Sequence, residues 1–555
     1  MSDFLAAAGV LLAAAACAAA ILLPPGRLRS LAMLLAIGLS PVLILGDQWH
    51  TTQIVDLRHD DGRIAVLLAI AAIAVAALTY VFRRWPILLP LAIVAALPFR
   101  VPLEAGGDTA NLLVPLYLVI AAGVVVLFAR DWSAAAWIDG AEGESENGAS
   151  LPRPQDSPSA PFAERPQDSP PVPRPAVWLT RLLAAFVVLY AIQTLYSGDF
   201  SKGLQNVCFF LVPFTVAYRL LREVEWDRRL LTLVLIVVGV EATAFVLIGS
   251  VEYLTRSLFW NDQVIRSNEF HTYFRVNSVF WDPNVYGRYL ALVIVVAMAA
   301  LLWVKERRGF ALLAVLVAVL WLGLAQTFSQ SSFIALLAGL AVLAAIRWSW
   351  RWTLAAVVAG LIGAVLTVTL VGGRADIGDI FGRANIETSG RANLVSGGLD
   401  LFAERPLQGS GSGSFQDAYR DHRENKDVPV SISHTEPVTI AAEQGLLGLV
   451  LYVALIMVAL WTMTSGIRGP PMGGTGGESE NGASLPRPQD SPPVPLAGNP
   501  QDSPSVAGRA GVLAAFVALL VHTMAYAGFF EDPITWVLLA VGASLASTSP
   551  VRGAP

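Results

Sequence analysis

The chain has 555 residues, of which 55% are hydrophobic and only 14% charged, with a formal net charge of −5. Soluble domains carry about 25% charged residues, so this balance excludes a soluble globular enzyme and indicates a polytopic membrane protein. The two cysteines, Cys17 and Cys208, both lie in apolar runs, which excludes a disulfide framework and a cysteine metal site.

The N-terminal run MSDFLAAAGVLLAAAACAAAILL has Asp3 as its only early charge. It lacks the basic start of a signal peptide and is long enough to span, so it reads as a transmembrane helix. About fifteen apolar runs along the chain meet the roughly 20-residue requirement for a span. The least secure, near Ile93, is short and ends in Pro98. Short connections alternate in charge. Arg27 and Arg29, Arg83 and Arg84, Arg130, Arg219 to Arg229, Lys305 to Arg308, Arg347 with Arg351, and Arg468 mark every second one. The excess of basic residues on cytoplasmic loops then predicts an outer N-terminus and a cytoplasmic C-terminus.

Two segments are of another kind. The 16-residue string GESENGASLPRPQDSP occurs identically at Gly143–Pro158 and Gly477–Pro492. Its Pro, Ser, Gly and Glu content leaves nothing to bury, so both copies read as disordered cytoplasmic linkers. The expected organisation is N-terminal helices over 1–139, a linker over 140–176 and a membrane core over 177–463. A second linker over 464–510 and a C-terminal helical hairpin over 511–548 follow. The fold class expected is all-α: a polytopic transmembrane helical bundle of about 12–15 spans with one large, partly helical extracytoplasmic loop at 372–443.

Chemistry-bearing residues concentrate on the outer side. In FRVNSVFWDPNVYGRYL, Asp282-Pro283-Asn284 signals a turn and a helix start, flanked by Arg275 and Arg288. Both arginines are expected at the outer interface, where a snorkelling role competes with substrate binding. Glu241 is an intramembrane carboxylate that needs a partner or a cavity. In the large loop, helical spacing appears over Arg391–Phe402 and Ser414–Arg423, separated by GSGSGS at Gly409–Ser414. That Gly/Ser run lacks the lysine and strand of a phosphate loop and reads as a flexible turn. Ser433 or Thr435 can cap the next helix, with His434 just ahead of it at the membrane rim. An imidazole there suits a general base. His522 reads as a packing residue, and no acidic or histidine cluster has metal-ligand spacing.

Three stretches carry a family resemblance: FRVNSVFWDPNVYGRYL, SGRANLVSGGLDLFAERPLQGSGSGSF and SHTEPVTIAAEQGLLGL. In order and in motif they resemble the O-antigen ligase and O-antigen polymerase superfamily of bacterial membrane glycosyltransferases, across roughly Val177–Met463. Thr435 departs from the family's usual Asn. The resemblance implies a donor glycan on undecaprenyl diphosphate, a glycan or glycolipid acceptor, and action in the bilayer at the outer face of the plasma membrane. It implies no metal, cofactor or nucleic acid. It assigns Arg275 and Arg391 to the diphosphate and His434 to the attacking hydroxyl. Arg288, Asn284 and Glu241 form a second tier of substrate-binding candidates. Ligase and polymerase activities stay open, and a transporter is the alternative of another class.

Overall fold

The computed structural model describes residues 3–465 apart from 52–54, 56–60, 106–107, 145–173, 260, 262–263, 266–267, 269–272, 372–390 and 423–432, then residue 467 and residues 504–547. The two copies of the repeated string, the Arg374–Gly390 part of the large loop and the ends of the chain lie outside these residues, apart from Gly143 and Glu144.

Apolar sequence without charged interruption makes the chain helical almost throughout. Helices α1 (Asp3–Leu22), α2 (Arg27–Asp47), α3 (Asp61–Arg84) and the short α4 (Leu88–Ala96) precede one β-hairpin. Its strands β1 (Val101–Ala105) and β2 (Asp108–Leu112) pair antiparallel with Val101 opposite Leu112. Then come α5 (Val114–Glu144), α6 (Arg174–Thr194), α7 (Phe200–Asn206), a π turn (Val207–Leu211) and α8 (Val212–Arg222). Helices α9 (Arg228–Thr255), α10 (Pro283–Trp303), α11 (Arg307–Thr327) and α12 (Gln330–Ala344) follow. The last is continuous through a second π turn (Ala345–Ser349) with α13 (Trp350–Val371). The remaining helices are α14 (Arg391–Glu404), α15 (Phe415–His422), α16 (Glu436–Ser465), α17 (Pro504–Thr523) and α18 (Pro533–Ser547).

Among the described residues, 12 helices are long and apolar enough to cross a membrane. The all-α polytopic bundle expected from the sequence is what forms, with the hairpin as an addition. Three of the apolar runs do not count separately. That near Ile93 makes a nine-residue helix, and the final one, Pro533–Ser547, has 15 residues. Those near Leu340 and Leu361 join without a loop, because Arg347 and Arg351 sit in or beside a helical turn. There the Arg347 guanidinium lies 5.8 Å from the Trp303 ring, satisfied without leaving the helix.

Local signals set the helix starts. Asp282 accepts the Asn284 N–H at 2.6 Å ahead of Pro283, so α10 begins where the turn chemistry predicts. Asp199 and Asp227 cap α7 and α9 in the same way, through Lys202 N–H and Leu230 N–H.

The core has two parts. One gathers residues of α1, α2, α5, α6 and α8 with α16 and α18; the other gathers α9 to α12 with α17. The C-terminal hairpin therefore straddles both. Helix α17 packs on α10 and α12, while α18 packs on α8 and α16. The turn between them, residues 524–532, falls where the two halves meet.

Charge separates the two ends of the bundle. At one end Arg29, fully buried, binds Asp131 at 3.1 Å and Glu223 at 2.7 Å, and Arg219 also reaches Glu223 at 2.7 Å. These two arginines come from two different connections of the alternating pattern. Lys202 lies at the start, and Arg219 near the end, of one 23-residue helical run, Phe200–Arg222. At 1.5 Å per residue that run is about 35 Å long, a full bilayer crossing. Replacing Arg29 with Met would remove the fully buried partner of both carboxylates and leave them only the more exposed Arg130 and Arg219. We expect a loss of about 3–5 kcal/mol of stability, read as a lowered midpoint in detergent thermal unfolding.

Candidate functional site

The site is built on the first two turns of α16. Glu436, Ile440 and Glu443 recur at i, i+4 and i+7 and so share one face. Both carboxylates are buried and both grip backbone. Glu436 accepts the N–H groups of Gly528 at 2.7 Å and Phe529 at 3.0 Å. Glu443 accepts those of Gly413 at 2.9 Å and Phe415 at 3.1 Å. Two donors to each charged group offset its removal from water. One helix face thereby fixes the 524–532 turn above and the Gly/Ser loop below.

Helix α16 is broken at Gly445, whose φ of 64° and ψ of −161° are not helical. Loop 406–414 closes the break. Leu446 N–H donates to Pro406 O at 2.7 Å, Ser410 N–H to Ala442 O at 3.0 Å and Gly411 N–H to Glu443 O at 2.8 Å. The Gln193 side chain donates to Gln444 O at 3.0 Å, tying α6 to the same place. Irregular backbone in a membrane protein requires this kind of internal satisfaction. The Gly/Ser run is thus a fixed plug, not the flexible turn read from composition. Gly411, at φ 101°, has room for no side chain: a Cβ would meet Ser197 Cα at 2.3 Å.

These elements enclose a cavity of about 350 Å³. Its walls come from α6 (Phe186, Tyr190), α7 and the π turn (Lys202, Asn206, Phe210), the start of α15, the face of α16, and the turn Tyr526–Glu531. His434 stands on its rim. Its φ of 60° is left-handed, uncommon for a residue with a side chain. Neighbours impose it. Ser433, fully buried, donates to Thr435 O at 2.8 Å and bonds Thr439 Oγ1 at 2.7 Å. Thr435 Oγ1 reaches over to Met524 O at 3.1 Å and does not cap the helix. The His434 ring lies 6.1 Å from that of Tyr526. Burial, with the Asp282 carboxylate adding to it, pushes the Tyr526 hydroxyl well above the ordinary tyrosine value, so it stays neutral.

The other expected residues fall into three groups. Arg275 and Asn284 sit at the same end of the bundle as His434. Arg275 Nε donates to Thr327 O at 2.9 Å and Nη2 to Asn284 Oδ1 at 3.0 Å, joining the end of α11 to the start of α10. From Asn284 the polar chain runs through Ser329 and Ser332 to His522, whose ring is 5.9 Å from Tyr526. Neither Arg275 nor Asn284 lines the cavity. Arg288 is not a snorkelling interfacial arginine. It is 5% exposed and bonded to Asp532 at 2.8 Å, because that carboxylate arrives from the distant C-terminal turn. Arg100 approaches the same carboxylate; burial lowers its pKa despite the pull of Asp532. Glu241 lies apart from the cavity, accepting the Tyr289 hydroxyl at 3.2 Å within an aromatic cluster. Arg391 is the first residue of α14, and its side chain lies outside the described residues. Helix α14 packs on α16, which brings it to the same end of the bundle.

Lys202, Tyr526 and Glu531 escape a sequence reading, since nothing local marks them. Glu436 and Glu443 did carry a signal: two carboxylates seven apart at the head of an apolar helix are costly unless they are engaged. Among the described residues no group of three or more His, Cys, Asp or Glu side chains could hold a metal ion.

The model of the O-antigen ligase family matches residues 315–453. The chain carries an O-antigen ligase domain. The match runs from the middle of α11 into α16 and takes in Arg391, the Gly/Ser plug, His434 and both cavity glutamates. It leaves out Arg275, Asn284, Arg288, the α6–α7 wall and the Tyr526–Asp532 turn, so the ligase domain supplies only part of its own cavity. No curated protein matches the chain. With 12 helices long and apolar enough to cross a membrane among the described residues, the chain is a multi-pass membrane protein whose residues 315–453 are similar to the O-antigen ligase family.

Since Arg275 holds two separated acceptors at once, lysine cannot replace it. Arg275→Lys should lower the thermal midpoint, and Asn284→Ala should do so less. Unchanged melting in Arg275→Lys would show that the two bonds are dispensable.

Proposed function

We propose that this protein transfers a glycan from an undecaprenyl-diphosphate carrier to a sugar hydroxyl of a glycan or glycolipid acceptor, at the outer face of the plasma membrane. The supporting observation is His434. A histidine is held in a left-handed conformation on the rim of a cavity, at the bundle end opposite the buried arginine–carboxylate cluster. Backbone strain of this kind persists where the surroundings over-determine it, as functional sites do.

His434 takes the proton from the attacking hydroxyl, or orients it. Arg391 binds the departing diphosphate, whose developing charge a guanidinium meets with paired hydrogen bonds. Arg275 serves the same charge while holding α10 to α11. Direct displacement inverts the anomeric centre. The basic connections at the opposite end support a cytoplasmic side there and an outer position for the cavity. Ligase and polymerase reactions use the same donor and the same groups.

A transporter has one feature in its favour, the broken α16, since such breaks line transport paths. Here the break is filled by the protein's own loop 406–414, hydrogen-bonded on both sides.

The test is reconstitution of the full chain in liposomes with undecaprenyl-diphosphate glycan and a glycolipid acceptor. The expected products are free undecaprenyl diphosphate and elongated acceptor. Arg391→Ala should abolish both while inserting normally. Normal transfer by that variant would overturn the assignment of Arg391, and movement of intact donor across the bilayer without transfer would favour the transporter.

A further inference from the structure

The cavity beside His434 has a chemistry that a diphosphate does not match. One of its lining side chains is almost fully buried yet keeps an oxygen with no protein partner: Asn206 Oδ1, on a residue 5% exposed. Asn206 uses its other amide atom on the Tyr190 hydroxyl at 2.8 Å. Buried polar atoms are nearly always satisfied, so this one calls for a partner from outside the protein.

Three acidic residues line the same space. Glu436 and Glu443 line its wall, and Glu531 stands exposed at its mouth. The lining is therefore predominantly acidic, with Lys202 at its edge. A phosphate group is itself anionic and rich in acceptors, and would be repelled here. Sugar hydroxyls and amines are donors. The rings of Phe186, Tyr190, Tyr526 and Phe530 supply the apolar surface against which the carbon face of a sugar packs.

We infer that this cavity is the acceptor's sugar subsite, selective for neutral or amine-bearing sugars over carboxylated or phosphorylated ones. The donor's diphosphate binds outside it. The assignment rests on the glycan-transfer activity proposed above. Glu531 is its specificity-determining residue, because it is the carboxylate at the mouth and is exposed to an incoming ligand.

Cysteine protection tests this without any transfer step. Both native cysteines are buried, so a Gln416→Cys variant of the full chain in detergent offers one accessible thiol on the cavity wall. Maleimide labelling is followed with glucosamine, glucose, glucuronate or inorganic pyrophosphate present. Glucosamine should protect at a concentration about tenfold below that for glucuronate, as one charge-pair reversal allows; pyrophosphate should not protect. Adding Glu531→Lys should reverse the order of glucosamine and glucuronate. The exposed position of Glu531 makes that variant tolerant of folding. Protection by pyrophosphate at the glucosamine concentration, an order unchanged by Glu531→Lys, or no protection by any sugar would each overturn the assignment. The expected order without glycan transfer in liposomes would support the sugar subsite and overturn the transfer activity alone.

Discussion

His434→Ala should reduce glycan transfer by about 10²–10⁴-fold, the usual contribution of a positioned general base. The loss should appear in the rate of the transfer step, with donor still bound. Alanine at φ 60° also strains the turn, so the companion variant is His434→Asn, since asparagine tolerates the left-handed region. His434→Asn should melt like the parent and transfer as poorly as His434→Ala. Parent-like transfer by His434→Asn would show that the backbone turn, and not the imidazole, is what the reaction needs. The hydrogen bonds of Ser433 and Thr435 hold the turn from both sides of His434 in either variant.

Gly445→Ala should be the most damaging change away from the cavity's reacting groups. A side chain at φ 64° and ψ −161° occupies a region essentially reserved for glycine, at about 1–3 kcal/mol. Its Cβ would also lie 2.5 Å from Leu407 O, so loop 406–414 must withdraw. Withdrawal breaks the bonds from Leu446 and Gly411 and frees the Glu443 carboxylate from Gly413 and Phe415. Stability and transfer should fall together. Gly360→Ala is the control: nothing lies within 4 Å of its Cβ and the helix there is exposed, so it should be neutral or slightly stabilising. A parent-like melting curve for Gly445→Ala would show that the plug does not depend on the break.

Some of the site was legible in one dimension. The turn before α10 is written in Asp282-Pro283-Asn284, and the helices at Arg391 and Phe415 in their apolar spacing. His434 stands out because it interrupts an apolar pattern at a helix start. Arg288 was visible but misplaced. Its neighbours in sequence are apolar helix, and its true neighbour, Asp532, comes from beyond the second linker. Lys202 and Glu531 gave no local sign, because an exposed charge on a short connection looks alike whether it faces water or a cavity.

By itself the sequence determined that this chain is a membrane bundle and where many of its helices begin, and it marked the segment whose arginine and histidine we propose for glycan chemistry. Those are local properties: apolar length, capping chemistry and the cost of charge in hydrocarbon act on neighbours along the chain. Only the tertiary structure decided that α17 and α18 bridge the two halves, that a Gly/Ser loop plugs a broken helix, and that the cavity lining is predominantly acidic. Each of these depends on contacts between segments far apart in sequence, and a contact of that kind is set by packing and by the need to satisfy buried polar groups, which no single segment records.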